Sequence, residues 1–396
     1  MLGLKEENYG LFKIKRFNLL AFGIIVGLIL IAYSNTFTAS FHFDDNPAIV
    51  ENSGIKRLTW ENFMGAFSGT RWVVNLSLLF NYTVSGLNVV GWHIFNISLH
   101  IVNTLLVYLI LLWTLMLPSL NQRYGARARR MALFGALLFG VHPIQTESVT
   151  YIISRTELIA AFFFLSTVLF FIKQATTGKF RYSFFAFISA FLAMGSKEWA
   201  VTLPAIILLY DFLFIAEGKP KDVLSRWKTH VLVMLTWGEL VYTMSTNTMS
   251  GAGFGVVGQN NITPLSYMFT SFNVLWTYIR LLLVPINQNL DYQYHWSRSL
   301  FEFPTYLSLL GHIGVIAAGF WTYWKKRWTL VPFGIAWFYI NLSPTQSFVP
   351  ILDVIFEHRL YLPSVGFFIV FVAFFESIFD LMEMKSISRK ADVPSV

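Results

Sequence analysis

The chain has 396 residues, of which 55% are apolar, 18% aromatic and only 13% charged. Soluble domains carry about a quarter charged residues, so this composition excludes a soluble protein and predicts a polytopic helical membrane protein. The absence of cysteine excludes disulfides, thiolate metal sites and a cysteine nucleophile.

Long apolar runs recur along the sequence, which is typical of membrane-spanning helices, whereas a barrel alternates in short segments. A bilayer core demands roughly 17–25 residues per helix, and several runs here are shorter. The first run follows basic residues without a convincing cleavage site, so we expect an uncleaved span. The predicted spans are 17–34, 92–117, 131–152, 157–172, 182–196, 199–216, 229–246, 305–324, 329–342 and 361–381.

Most of the 29 lysines and arginines stand in clusters between alternate spans. The positive-inside rule places these clusters, and both termini, in the cytoplasm. The net charge of +8 is therefore a consequence of topology, and no nucleic-acid partner is expected. The clustered residues are Lys5, Lys13, Lys15, Arg16, Arg123, Arg127, Arg129, Arg130, Lys173, Lys179, Arg181, Lys219, Lys221, Arg226, Lys228, Lys325, Lys326, Arg327, Lys385, Arg389 and Lys390.

The segment 272–286 is a weak point of this topology, because counting it as a crossing would place Lys325 and the basic tail outside. We expect a re-entrant or surface-lying helix there, which gives ten spans, with eleven as the alternative. The predicted external loops are 35–91, 247–304 and 343–360. The first loop contains two amphipathic pieces, 60–67 and 73–84, that suit helices lying along the membrane interface. We expect one membrane-embedded domain over 1–396 and no soluble domain.

Two adjacent acids, Asp44 and Asp45, follow the first span in the stretch 41–52. Acids before Asn46-Pro47 form good turns, so a purely local role is one interpretation. The functional interpretation is a general base that takes the proton of an acceptor hydroxyl, with the second acid as its neighbour. Two acids could instead hold a divalent cation such as Mg or Mn, although no spacing of ligands here is diagnostic.

Three further polar segments interrupt the apolar runs on the predicted external side, where a charge is not needed for topology. His142, Glu147 and Arg155 follow a proline break at a span end, where they either satisfy freed backbone groups or form a polar cavity wall. Lys197 and Glu198 either pair at a tight helical hairpin, or Lys197 binds a lipid phosphate. His358 and Arg359 open the last span, where Arg359 is either a topology-neutral anchor or a phosphate ligand, since arginine suits bidentate phosphate recognition. Glu239 and Asp211 are expected to form only hydrogen bonds between helices.

An ordered set of motifs over nearly the whole chain resembles the membrane module of the TMTC transmembrane O-mannosyltransferases, which have many bacterial relatives with TPR repeats. No single motif is specific, but their order is. The motifs are Phe43-Asp44-Asp45, Ile49-Val50-Glu51-Asn52, Arg71-Trp72-Val73-Val74-Asn75-Leu76-Ser77, Asn81-Tyr82, Gly86-Leu87-Asn88, Trp92-His93, Asn96, His100, Asn103, Val141-His142-Pro143, Glu147-Ser148-Val149, Ser154-Arg155, Glu157, Ser196-Lys197-Glu198, Leu203-Pro204, Pro285-Ile286-Asn287, Asp291-Tyr292 and Glu357-His358-Arg359-Leu360-Tyr361-Leu362-Pro363.

The resemblance implies a GT-C glycosyltransferase fold, a polyprenyl-phosphate-linked sugar donor and a site on the periplasmic or external face. It also implies that the first acid of the first external loop, here Asp44, is the catalytic base, with Asp45 beside it. No TPR repeats are recognisable in these 396 residues, which leaves the acceptor class open.

The hypothesis is therefore an inverting transfer in which Arg359, Lys197 and Arg155 hold the donor phosphate. His142, Glu147, Glu198, His358 and Arg71 are expected on the cavity and acceptor side. The acceptor is a protein or a glycan. The alternatives are the same chemistry on a lipid or polysaccharide, or a lipid-linked sugar flippase, which would carry charges through the bundle centre and not on one face.

Overall fold

The structure is a computed structural model that describes residues 16–246, 262–326, 328–351 and 353–391. Parts of the sequence predictions therefore lie outside the described residues: Lys5, Lys13, Lys15, Arg327 and residues 247–261 of the predicted loop 247–304. The remainder of that loop, 262–304, is described. The described residues form α-helices joined by short 3₁₀ and π turns, and they contain no strand. The helices are α1 Arg16–Ala32, α2 Trp60–Gly65, α3 Trp72–Ser85, α4 Val89–Leu115, α5 Pro118–Tyr124, α6 Ala128–Val141, α7 Thr146–Thr150, α8 Arg155–Thr177, α9 Arg181–Met194, α10 Leu203–Tyr210, α11 Pro220–Leu224, α12 Trp227–Leu235, α13 Trp237–Thr246, α14 Pro264–Leu283, α15 Thr305–Lys326, α16 Leu330–Leu342 and α17 Pro363–Ala391.

Four of the described helical segments are long and apolar enough to cross a bilayer, as judged by length and composition: Val89–Leu115, Ile152–Thr177, Glu198–Ile215 and Thr305–Lys325. Four shorter apolar helices accompany them: Phe17–Ala32, Arg181–Met194, Leu330–Leu342 and Pro363–Phe379. The chain is thus an all-α polytopic membrane protein. The count of ten or eleven crossings and the cytoplasmic placement of the termini stay predictions.

Helix α1 shows how these helices divide their surface. Asn18, Ala21, Ile25 and Ile29 recur every three or four residues and are buried against α4 and α6. The opposite face exposes Leu20 and other large apolar side chains, as a helix does when lipid is its solvent. One continuous apolar core draws residues from α1 through α17, with α4 and α8 buried near its centre.

Two predicted spans differ in extent from the helices observed. The predicted span 131–152 ends as a helix at Val141, because Pro143 lacks an N–H and drives His142 into extended backbone at ψ 132°. The predicted span 229–246 is divided at Thr236 into α12 and α13. The amphipathic pieces predicted in the first loop do form helices, α2 and α3.

Helix α14 overlaps the predicted segment 272–286; it begins earlier, at Pro264, and ends at Leu283. Its Tyr267 hydroxyl donates to the carbonyl of Thr345 at 2.6 Å, just beyond the end of α16. Near its other end, the carbonyl of Leu282 lies 3.2 Å from His142 Nε2, just beyond the end of α6. Both ends of α14 therefore contact the same end of the bundle, where α6 and α16 end. We call this the cleft end, after the cleft described below. This is the arrangement of a helix lying across that end.

Helices α16 and α17 pack closely because glycines face each other between them. A Cβ placed on Gly366 would lie 2.4 Å from the carbonyl oxygen of Gly334, and a Cβ on Gly334 would lie 2.5 Å from that of Gly366. Small residues at such a crossing let two helix backbones approach in a membrane.

We expect Gly366→Ala to lower the stability of the protein by about 1–3 kcal/mol, because backbone atoms on both sides leave no room for the methyl group. Gly23→Ala in α1 is the matched control, since a Cβ there meets nothing within 4 Å. Thermal unfolding of the two variants in one detergent checks this. Equal melting temperatures for the two would contradict close packing of α16 on α17.

Candidate active site

The polar residues singled out in the sequence gather at the cleft end, where irregular backbone joins the helices. Pro143 ends α6, short turns and α7 follow, and Arg155 begins α8. The segments around Lys197 and His358 reach the same end from elsewhere in the chain. Non-helical backbone at this position is tolerated in a membrane protein where it lines a cavity.

Asp45 is 1% exposed, and backbone groups occupy both of its carboxylate oxygens. Its Oδ2 accepts from the N–H of His42 at 3.1 Å, and its Oδ1 accepts from the N–H of Ile153 at 2.8 Å. Burial raises the pKa of Asp45, and these two hydrogen bonds partly offset that rise. Asp45 therefore anchors the loop after α1 to the turn before α8.

Asp44 faces the other way. Its side chain is exposed, and its carboxylate has no hydrogen-bond or ion-pair partner among the described residues. Its N–H donates to the Tyr151 hydroxyl at 2.8 Å. The preceding residue, Phe43, adopts a φ of 42°, a left-handed conformation that costs energy for a bulky side chain. This strained turn leaves the Asp44 carboxylate exposed on the protein surface.

A cleft of about 300 Å³ opens beside the acidic pair. Most of its lining residues carry polar groups, although apolar atoms make up the larger part of its wall surface. These residues come from the first loop, from α7 and from the segments 288–290 and 357. Asp44 stands at its edge through the bond to Tyr151. The lining residues are Ala39, Ser40, His42, Asp45, Thr146, Glu147, Thr150, Tyr151, Gln288, Asn289, Leu290 and Glu357.

Glu147 and His358 form a tight pair in the wall of this cleft. The two Glu147 oxygens contact the Nδ1 atom of His358 at 2.5 Å and accept from its backbone N–H at 2.9 Å. Burial raises the pKa of Glu147 to about 7 and holds the pKa of His358 well below its ordinary value. The contact between Nδ1 and Oε1 thus ties the segment around His358 to α7 in the cleft wall.

Glu157 continues this network into the bundle. Its Oε1 lies 3.7 Å from His358 Nε2 and accepts from the Lys197 ammonium at 2.5 Å, while its Oε2 accepts from Trp199 Nε1 at 2.7 Å. The Lys197 side chain is only 13% exposed. Lys197 is thus committed to Glu157 in this structure. We did not assign Glu157 and Trp199 a role from the sequence, although Glu157 belongs to the segment that follows the proline break.

Glu198 and Arg71 form a second ion pair. The guanidinium donates from Nε at 3.0 Å and from NH2 at 3.0 Å, and the Thr70 hydroxyl adds a third bond to the carboxylate. Arg71 stands at the start of α3, so this pair ties the segment between α1 and α4 to the turn after α9. Neighbouring Trp72 donates from Nε1 to Glu239 at 2.9 Å, which gives Glu239 the hydrogen-bonding role expected of it.

Arg155 is not among the residues that line the cleft, although its charge acts on Asp45 in the cleft wall. Its side chain is fully buried between Trp92 and Phe95, whose ring centres are 4.7 and 4.5 Å from the guanidinium carbon. One nitrogen donates to Asn81 Oδ1 at 2.9 Å, while Nε and NH1 have no partner among the described residues. The side chain therefore bridges α3, α4 and α8 and lies outside the lining of the cleft.

Arg359 is half-buried and keeps part of its hydrogen-bonding capacity open. Its NH1 and NH2 donate to the carbonyls of Val354 at 3.1 Å and Asp353 at 2.8 Å, and the guanidinium lies over the Phe356 ring. Arginine has five N–H donors in a planar fork, so a ligand can still bind to it. Its charge also lowers the pKa of Glu147, which places it near the cleft wall.

Glu357 was not assigned a role from the sequence, yet it organises one side of the cleft. Its carboxylate accepts from the Gln288 side chain at 2.5 Å, the Asn289 N–H at 2.7 Å and the Tyr292 hydroxyl at 2.5 Å. These three bonds hold the loop after α14 in the wall of the cleft. His142, predicted in the cavity wall, accepts from the N–H of Ile144 through Nδ1 and caps the turn beyond α6.

The residues do not offer a ready site for the divalent cation considered at the acidic pair. Both oxygens of Asp45 already accept backbone N–H groups, which leaves Asp44 as the single open carboxylate of the two. The described part of the chain holds no group of three or more His, Asp or Glu side chains arranged for a metal ion. We derive no step through a metal.

We expect Glu147→Gln to flatten the dependence of stability on pH. A carboxyl whose folded pKa is raised from 4.5 to about 7 stabilises the fold at low pH, and this contribution is lost as the pH rises through 7. The native protein should therefore lose roughly 3 kcal/mol between pH 4.5 and pH 8 that the variant does not lose. Thermal unfolding across this range measures the difference. Parallel pH profiles for the two proteins would show that Glu147 is ionised throughout.

The fold and the cleft define an all-α membrane protein with a polar site at one end of its bundle. No family model matches the chain. The chain is 30% identical over 260 residues to human protein O-mannosyl-transferase TMTC4, which covers 58% of this chain and 35% of that protein. It is 28% identical over 217 residues to human protein O-mannosyl-transferase TMTC3, a match that covers 51% of this chain and 22% of that protein. It is 23% identical over 392 residues to Caenorhabditis elegans protein O-mannosyl-transferase F38B6.6, a match that covers 90% of this chain and 51% of that protein.

These matches confirm the resemblance to the TMTC proteins: the chain is related in sequence to protein O-mannosyl-transferases. It spans about a third of the length of TMTC4.

Proposed function

We propose that this chain is a GT-C membrane glycosyltransferase that moves a sugar from a polyprenyl-phosphate donor to a hydroxyl group of an acceptor protein. The observation that carries the proposal is the open carboxylate of Asp44, presented by a strained turn at the edge of a polar cleft. Its support from outside the structure is that the chain's relatives are named protein O-mannosyl-transferases.

Asp44 is the general base of the proposed reaction. An acceptor hydroxyl at the edge of the cleft would give its proton to this carboxylate and attack the anomeric carbon from the face opposite the phosphate. The C–O bond to the phosphate breaks, the configuration inverts, and polyprenyl phosphate leaves without an acid because it is a good leaving group. Asp45 holds the loop that carries the base, since its own oxygens are occupied by backbone N–H groups.

Arg359 is the first choice for the donor phosphate, because it is half-buried, near Glu147 and not fully used by protein acceptors. A fixed cation there would stabilise the charge that develops on the phosphate. Lys197 would have to exchange its bond to Glu157 for the phosphate. Arg155 is left out of the proposed phosphate site, since its guanidinium is sealed between two aromatic rings.

In the proposed orientation the termini lie in the cytoplasm and the cleft opens to the periplasm or exterior. This follows from the basic clusters, which stand at the bundle end opposite the cleft in α5, in the turn after α8 and in α11.

The test is the release of polyprenyl phosphate from a labelled polyprenyl-phosphate mannose donor by purified, reconstituted protein supplied with a Ser/Thr-rich peptide. We expect release that depends on the peptide, and a product of inverted anomeric configuration. A flippase would move the donor across the vesicle membrane and release none. Release that requires a lipid or polysaccharide acceptor, and not the peptide, would replace the proposed acceptor class.

A further inference from the structure

A groove between α6 and α17 lies at the end of the bundle opposite the cleft. The two helices touch at Gly135 and Val372, where a Cβ on the glycine would lie 3.3 Å from the valine side chain. From this contact towards the start of α6 they enclose a volume of about 550 Å³. That is within the range of pockets that hold small ligands.

The walls of the groove are apolar and aromatic. Phe134 and Phe375 meet edge to face at 6.4 Å, while Phe134 and Phe379 are 42% and 60% exposed. Such a surface suits an acyl chain, because neither ring offers a polar partner. A chain entering here would lie parallel to α6 and α17.

Positive charge stands at the open end of the groove. Arg130 is exposed and has no hydrogen-bond or ion-pair partner among the described residues. Arg127 donates from NH1 to Glu376 Oε1 at 2.5 Å, so this acid is already neutralised and its side chain is only 12% exposed. The two arginines outnumber the one acid of the groove lining. The positive end of the α6 dipole begins at Ala128 and adds to their potential.

We propose that this groove binds one anionic phospholipid of the leaflet opposite the cleft, with the lipid phosphate on Arg130 and an acyl chain along the phenylalanines. The arginines lie at the start of α6, where they would contact the lipid head group. The phenylalanines lie further towards the bilayer centre, where they would contact the acyl chain. Basic pockets between membrane helices at the cytoplasmic side are places where acidic head groups bind. The site is remote from the cleft and does not depend on the proposed transferase activity.

The test is native mass spectrometry of the detergent-solubilised full chain, titrated with phosphatidylglycerol or phosphatidylcholine of identical acyl chains. We expect one phosphatidylglycerol to bind more tightly than phosphatidylcholine, and Arg130→Gln to weaken phosphatidylglycerol about fivefold, the effect of one arginine at a membrane surface. Lys228→Gln is the matched control, since Lys228 is exposed and basic but lies outside the groove. Its affinity should match that of the native chain.

Glu376→Gln gives a second, opposite readout. It removes the one negative charge of the groove lining, so phosphatidylglycerol should bind more tightly than to the native chain. A variant that only disturbed the fold would not gain affinity. Equal affinities for the two lipids, no effect of Arg130→Gln, or binding of a polyprenyl phosphate but not of phosphatidylglycerol would each overturn the proposal.

Discussion

Asp44→Asn should reduce sugar transfer by about 10²–10⁴-fold, the range that a general base contributes to catalysis. The amide cannot take a proton from the acceptor hydroxyl. The exposed carboxylate makes no bond that the amide would lose, and the Asp44 N–H keeps its bond to Tyr151. Folding and donor binding should therefore remain close to native. The measurement is release of polyprenyl phosphate from labelled donor, with donor affinity determined separately.

Asp45→Asn is the matched control for this experiment, because it makes the same change at the adjacent position. The Asp45 carboxylate accepts two backbone N–H groups, and an amide can accept only one of them without turning its NH₂ towards the other. We expect a loss of stability of about 1–3 kcal/mol here, from the unsatisfied buried N–H. Undiminished turnover in Asp44→Asn, with Asp45→Asn inactive but stably folded, would transfer the role of base to Asp45.

Glu157→Leu should destabilise the protein by about 3–5 kcal/mol, the second large effect expected. It leaves the Lys197 ammonium buried without its carboxylate and removes the partner of Trp199 Nε1. Lys197→Met should cost a similar amount, since it strands the Glu157 charge. The double variant Glu157→Leu/Lys197→Met should recover most of this loss, because apolar side chains can replace a buried ion pair. Thermal unfolding of the native chain, both single variants and the double variant closes this cycle.

The Arg71–Glu198 pair provides the comparison for this cycle. The Arg71 side chain is 39% exposed, whereas Glu198 is only 10% exposed, so Arg71→Gln leaves a nearly buried carboxylate without its cation. It should cost roughly 1–3 kcal/mol, which is less than Lys197→Met, because the Thr70 hydroxyl and the new amide still donate to Glu198. Equal losses for Arg71→Gln and Lys197→Met would contradict the burial assigned to the Glu157 pair. The stable double variant also tests Lys197 itself. If Lys197 binds the donor phosphate, this variant should fold but lose donor affinity, whereas a purely structural lysine would leave that affinity unchanged.

Several features of the protein could be predicted from local sequence. Long apolar runs predict membrane helices because bilayer thickness sets their length, and most predicted spans coincide with helices. The break after His142 could be predicted only in part. The proline indicates a helix end, yet the apolar pattern predicts a span that continues to residue 152. The acidic pair was found because charges are rare in such a composition and two adjacent ones stand out.

The sequence by itself thus determined an all-α membrane protein with its polar residues gathered at one end. Only the tertiary structure decided which polar groups are open. Asp44 and Asp45 are chemically identical neighbours, and the backbone N–H groups of His42 and Ile153 distinguish them. Arg155, Lys197 and Arg359 carry the same charge, yet one is sealed between rings, one is paired, and one keeps donors to spare. Pairing and burial depend on residues far apart in the chain, which spacing along a sequence cannot reveal.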